Sequence, residues 1–151
     1  MASSREKALE AFQLLRRLQC SDENGIGECI SCGRKVHVMK SDGGHYESRM
    51  NRATELEPDN VWLQCKHCNG PMGGNHIAYR NRLLSKIGPE RLQRVEDMAM
   101  SNKGDAEAFR RLSAEDALTV ATKKKDKEYD ALAAEYRRLA RELKREKCLD
   151  E

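Results

Sequence analysis

The sequence predicts an α+β protein, with a small loop-rich core between one N-terminal helix and long C-terminal helices. Three observations lead there. Hydrophobic residues make up 38% of the 151 residues and charged residues 35%, which is too little apolar content for one large core and fits a small core with an extra fastener. Helical periodicity is clear near both ends of the chain but faint from Glu28 to Cys65. Two Cys-x-x-Cys pairs, Cys29 with Cys32 and Cys65 with Cys68, bracket that aperiodic stretch.

Residues 3–19 read as an amphipathic helix. Ser3-Ser4-Arg5-Glu6 has the capping-box form, and Ala8, Phe12, Leu15 and Leu18 follow at helical spacing. "SDENGIG" breaks that pattern. "ECISCGRKVHV" reads as a short hairpin around the first cysteine pair, and "NVWLQC" as another short strand. Glycines 43, 44, 70, 73 and 74 read as loop punctuation. A helix is expected from about Asn75, carrying Ile77, Leu83, Leu84 and Ile87, and stopping at Gly88. Pro89 then opens the next helix, which places Leu92, Val95 and Met98 on one face. "SNKGD" reads as a linker. Beyond Ser113 the chain reads as helical almost to its end, with Tyr129, Leu132, Tyr136, Leu139 and Leu143 forming a short heptad-like seam. The expected organisation is an N-terminal helix over 1–24, a metal-bound core over 25–88 and a helical extension over 89–151.

No apolar run approaches the roughly 18 residues that span a bilayer, and the N-terminus lacks the pattern of a signal peptide. The expected compartment is the cytoplasm, with no membrane partner. Six cysteines in such a compartment point away from disulfides. The two pairs suit one tetrahedral Zn²⁺, each pair chelating from a tight turn. Four sulfur ligands leave that ion no open position, so its expected work is structural. A redox dithiol needs a βαβ setting that the chain does not show. Cys20 and Cys148 read as ordinary free thiols, and His67 as a spare residue inside the second pair.

His45, Asn60 and Asn69 stand in a suggestive order. Zinc tying the pairs together folds the intervening chain back, bringing an imidazole toward an amide carbonyl. These are parts for metal-assisted phosphodiester hydrolysis: a base for water and an oxygen ligand for a hard cation. Each also has a plain reading, His45 as a loop residue, Asn60 as a turn residue after Pro58-Asp59, and Asn69 as a helix cap. His37 and His76 read as surface residues and Trp62 as core.

The pieces "CISCGR", "GGHYESR" and "DNVWLQCKHCNGPMGGNHIAYRNRLLSKIG" resemble the NinG (Rap) recombination endonucleases of lambdoid phages, within the HNH nuclease superfamily. The resemblance implies a ββα-metal fold with structural zinc and a single Mg²⁺ or Mn²⁺ ion at the active site. It matches His45 to the histidine that activates water and Asn60 to the asparagine that braces the hairpin. Asn69 matches the final metal-ligand position, and Asn75 is a second candidate. Many HNH enzymes carry an acidic or imidazole ligand immediately before the histidine. Here that position is Gly44, and Asp42 is the residue expected to reach the ion instead. The substrate so implied is branched DNA such as a Holliday junction, cut by a phage-encoded enzyme inside the bacterial host.

Formal net charge is only +3, from 28 basic and 25 acidic residues, so distribution matters more than the total. Arg80, Arg82 and Lys86 lie in a stretch, 75–87, without acids, and Arg91 and Arg94 extend the basic character into the next helix. Arg49 and Arg52 lie close to His45. Arg49, Arg52, Arg80, Arg82 and Lys86 are expected to contact DNA phosphates. "KKKDK" at 123–127 reads as an exposed helix face. The leading expectation is a metal-dependent DNA endonuclease; the alternative is a non-catalytic zinc-stabilised DNA-binding protein. The C-terminal seam is as compatible with packing on its own chain as with forming a homodimer.

Overall fold

The computed structural model describes residues 1–149. Helix α1 (Ser4–Gln19) starts at the predicted capping box: Ser3 Oγ accepts the Glu6 N–H, and the Glu6 carboxylate accepts the Ser3 N–H. Its apolar stripe of Ala8, Leu9, Phe12, Leu15 and Leu18 is buried. Two antiparallel hairpins follow. Strands β1 (Ile26–Glu28) and β2 (Lys35–His37) flank the first cysteine pair. Strands β3 (Ser41–His45) and β4 (Val61–Cys65) pair with Ser41 opposite Cys65 and His45 opposite Val61. The Ile30 N–H donates to the Leu63 carbonyl at 2.9 Å, which seats the first cysteine turn along β4.

The glycine pair expected in a loop lies inside β3. Glycine weakens a strand unless a close approach requires it, and here two do. A Cβ on Gly43 would sit 2.7 Å from the Gln13 Cβ of α1, and one on Gly44 would sit 2.0 Å from Gln64 Oε1. Pairing with β4 and contact with α1 outweigh the intrinsic preference.

The second cysteine pair spans the end of β4 and the short helix α2 (Lys66–Asn69). Helix α3 (His76–Asn102) is interrupted at Gly88, whose φ of 84° and ψ of 167° break the helix where the sequence predicts. Both halves of α3 pack on one cluster of Ile30, Tyr46, Tyr79, Leu83, Ile87, Leu92 and Val95, with Trp62 at its margin. The second cysteine hairpin, the first cysteine turn and α3 therefore share a core on both sides of residue 88.

The expected linker at 101–105 falls at the break between α3 and a short helix α4 (Ala106–Arg111), which starts where the Asp105 carboxylate accepts the N–H groups of Glu107 and Ala108. Ser113 caps α5 (Ala114–Ala121) as its motif predicts. The expected near-continuous helix then fails over 122–125, and α6 (Asp126–Glu146) begins anew. Lys123, Lys124 and Lys125 follow Thr122 with no apolar residue to pack, and adjacent like charges gain nothing from helix formation. The lysine run is consequently a linker, with Lys125 as the N-cap of α6.

The α6 seam faces α1 of the same chain. Tyr129 and Ala133 pack on Ala8, Ala140 and Leu143 on Leu18 and Val38, and the Phe12 and Tyr136 rings meet at 5.0 Å. Among the described residues no helix is long and apolar enough to cross a membrane.

Candidate functional site

The two cysteine turns bring four sulfurs together. All four Sγ atoms lie within 4.8 Å of one another, and Cys32 and Cys65 are 3.8 Å apart. A tetrahedral zinc with Zn–S bonds of about 2.3 Å needs sulfurs about 3.8 Å apart, so this donor set can hold one structural zinc. The Ser31 and Cys32 N–H groups point at Cys29 Sγ, and the Cys68 N–H at Cys65 Sγ. Burial alone would push the Cys29 thiol up, but those backbone donors bring it down to about 7; burial pushes Cys68 up to about 12. Asn75, in a left-handed conformation before α3, donates its side-chain N–H to Cys68 Sγ at 3.4 Å. It therefore braces a sulfur of the cluster.

His45 closes β3. Its Nε2 lies 2.8 Å from the Glu55 carbonyl oxygen. A carbonyl only accepts, so Nε2 carries the proton and Nδ1 keeps its lone pair in the neutral ring. Burial holds the His45 pKa below the ordinary imidazole value; the Glu55 carbonyl opposes this, and the Arg49 and Arg5 cations add to it. The ring is thus neutral near pH 7.

Asn60 is fully buried. Its Oδ1 accepts the Glu47 N–H at 2.7 Å, and its Nδ2 donates to the carbonyls of Glu47 and Thr54, each at 3.0 Å. Those bonds fasten the loop between His45 and β4 at both of its ends.

Asp42 and Asn69 also meet, but not at His45. Asn69 Nδ2 donates to Asp42 at 3.0 Å, and Lys66 Nζ does so at 2.8 Å. Asp42 lies three residues before His45, about 10 Å along the strand and on its opposite face. The imidazole faces the Glu55 carbonyl in place of the expected asparagine amide.

Sequence reading missed Glu55. Its carboxylate is fully buried, accepts from Arg5 Nε of α1 at 2.7 Å and from the Tyr129 hydroxyl of α6, while its carbonyl holds His45. Arg5 also donates to the Arg49 carbonyl. Both terminal helices are thereby tied to the histidine loop. A glutamate in "ATELEP" carries no local signal of this, because its partners lie 50 and 74 residues away.

The profile described as "Bacteriophage Lambda NinG protein" matches residues 8–128. The chain belongs to the NinG family. The "Protein ninG" of Escherichia phage lambda is 32% identical over 93 residues, covering 58% of this chain and 43% of that protein. That of Escherichia phage 933W is 33% identical over 88 residues, and that of Salmonella phage P22 is 32% identical over 89 residues, each again covering 43% of the relative. The chain spans less than half the length of these NinG relatives. No solved structure matches it.

The basic residues of this NinG-family chain divide into bound and free. Arg80 makes a forked pair with Glu96 at 2.9 and 3.1 Å, and Arg82 reaches Glu28 at 3.4 Å. Arg91 and Arg94, which continue the basic run in sequence, are both engaged by acids. Arg91 pairs with buried Asp59, and Arg94 with Glu57 and Asp116, welding α3 and α5 to the turn that ends the histidine loop. Lys86 lies 5.4 Å over the half-buried Trp62 ring, with Arg16 also over it at 4.6 Å. Arg49 and Arg52 are exposed on the loop after His45.

Proposed function

We propose that this NinG-family chain is a DNA endonuclease of the HNH type, acting on branched recombination intermediates such as Holliday junctions, with His45 as its general base. The observation that carries this reading is the geometry of His45: Nε2 is fixed by a backbone carbonyl, which leaves Nδ1 as the basic nitrogen, without a hydrogen-bond partner among the described residues. Nδ1 takes a proton from water, the water oxygen attacks phosphorus in line, and the 3′ oxygen leaves and is protonated by solvent. Arg49, whose cation acts on the ring, offsets phosphate charge beside it. A zinc ion held by Cys29, Cys32, Cys65 and Cys68 would fasten the hairpin that presents His45. The branched substrate rests on motif resemblance; the residues themselves reach phosphodiesters.

The resemblance also implies a Mg²⁺ or Mn²⁺ ion, a Lewis acid that would stabilise the charge developing on phosphate. Its expected ligands do not fit around the ring. Asp42 is engaged by Lys66 and Asn69, Asn75 by Cys68, and the place of a carboxylate at Gly44 is filled by the Gln64 side chain. That arrangement favours the second reading, a zinc-stabilised DNA-binding protein without catalysis.

A four-way junction incubated with and without Mg²⁺ or Mn²⁺ separates the two. Nicks from the wild type, together with full zinc content and DNA binding but no nicks from His45→Ala, support the nuclease. Binding without nicks under every condition supports the alternative, and nicking by His45→Ala at the wild-type rate removes His45 from the chemistry. A homodimer would need a surface other than the α6 seam that α1 already covers.

A further inference from the structure

The α5–α6 linker carries Lys123 and Lys124 to the loop that follows His45. There they line, with Arg52, a pocket of about 340 Å³ whose walls also include Thr119, Thr122 and Tyr129. No carboxylate lines it. The three cations enter no ion pair among the described residues, whereas Arg80, Arg91, Arg94 and Arg111 are each held by an acid. In a protein with nearly balanced charge, three unpaired cations around one concavity with two hydroxyl-bearing threonines offer the donors and charge that phosphate oxygens need.

We infer that Arg52, Lys123 and Lys124 form a binding pocket for backbone phosphate of the nucleic acid strand presented to His45. The inference rests on the proposed action at nucleic acid and adds a site to it. Its position follows from Tyr129, which is at once a wall of the pocket and the hydroxyl donor to Glu55, whose carbonyl holds the His45 ring. A phosphate bound there lies against the loop and helix that support the imidazole. Phosphate contacts of this kind set register and carry no sequence information.

The test uses the full zinc-loaded chain and the triple variant Arg52→Gln, Lys123→Gln, Lys124→Gln. These side chains hold no partner whose loss would disturb the fold. Binding of a labelled four-way junction and of a plain duplex is followed by anisotropy from about 0.05 to 0.2 M salt. The variant weakens on both substrates, and the slope of log affinity against log salt becomes shallower by about one for each lost phosphate contact. A control that removes equal charge from exposed positions elsewhere, Lys7→Gln, Lys40→Gln, Arg110→Gln, keeps the wild-type slope. An unchanged slope in the pocket variant, or an equal change in the control, overturns the inference. If the wild type binds neither DNA, the functional reading fails, and inorganic tripolyphosphate then decides the pocket. Amide NMR shifts at Arg52 and over 122–124 that vanish in the pocket variant keep it as a polyphosphate site; their absence in the wild type overturns it.

Discussion

A single methyl group added at Gly44 tests why this position holds no side chain. In Gly44→Ala the new Cβ falls 2.0 Å from Gln64 Oε1, 2.8 Å from its Cδ and 3.0 Å from its Cβ. Something must move. Gln64 is fully buried, and its Nε2 donates to Ser31 Oγ at 2.9 Å and to the Gly74 carbonyl at 2.7 Å. Turning the amide away breaks both bonds, worth about 0.5–1.5 kcal/mol each, and leaves buried acceptors unmet at about 1–3 kcal/mol. The expected loss is about 2–5 kcal/mol, a large share of the stability of a domain this size. The clash resides chiefly in the amide, so in a Gln64→Ala background the same methyl should cost at least about 1.5 kcal/mol less. Urea unfolding of the zinc-saturated wild type, both single variants and the double variant completes the cycle. Equal costs in the two backgrounds would refute the argument that Gln64 dictates the glycine. An aspartate at 44 meets the same obstacle, so restoring a carboxylate there should also destabilise the fold unless Gln64 is shortened.

Tyr129→Phe removes one of the two side-chain donors to the buried Glu55 carboxylate, and should cost about 1–3 kcal/mol in urea unfolding; a neutral result would count against a stabilising clamp. His45, depressed by burial, should titrate by NMR below its ordinary value of about 6.5, and a midpoint at or above that value refutes the buried geometry. Its folded pKa is the lower one, so stability falls as pH drops from about 6.5 toward the folded value. Cleavage that needs the neutral ring is present above the midpoint and lost below it. Cobalt should bind one ion per chain with the absorption of a tetrahedral thiolate site, and Cys65→Ser should lose that site together with the β3–β4 hairpin; a stable variant that keeps the spectrum would exclude Cys65 as a ligand.

Local sequence was enough for the features whose causes are local. The Ser3 capping box, the hairpin around Cys29 and Cys32, the strand into Cys65 and the break at Gly88 each follow from a few adjacent residues, and the structure has them where expected. Spacing also identified the four sulfurs, because a Cys-x-x-Cys turn aims two thiols at one point and two turns complete a tetrahedron.

Long-range packing decided the rest. Nothing in "SDGGHYESRM" says that its glycines are strand residues, since the reason lies in Gln13 and Gln64, which the fold brings against them. Arg91 and Arg94 read as part of a basic run until Glu57, Asp59 and Asp116 arrive from separate elements to pair with them. His45 looked toward Asn69 on sequence order, yet the alternation of β3 sends Asp42 and His45 to opposite faces, and only Asp42 meets Asn69. The sequence by itself determined which residues could do chemistry here, the thiols, the imidazole and the basic side chains, because composition and short spacing set those. Which of them stand together was decided only by the tertiary structure, since hydrogen bonds and ion pairs depend on distances that the chain closes over dozens of residues.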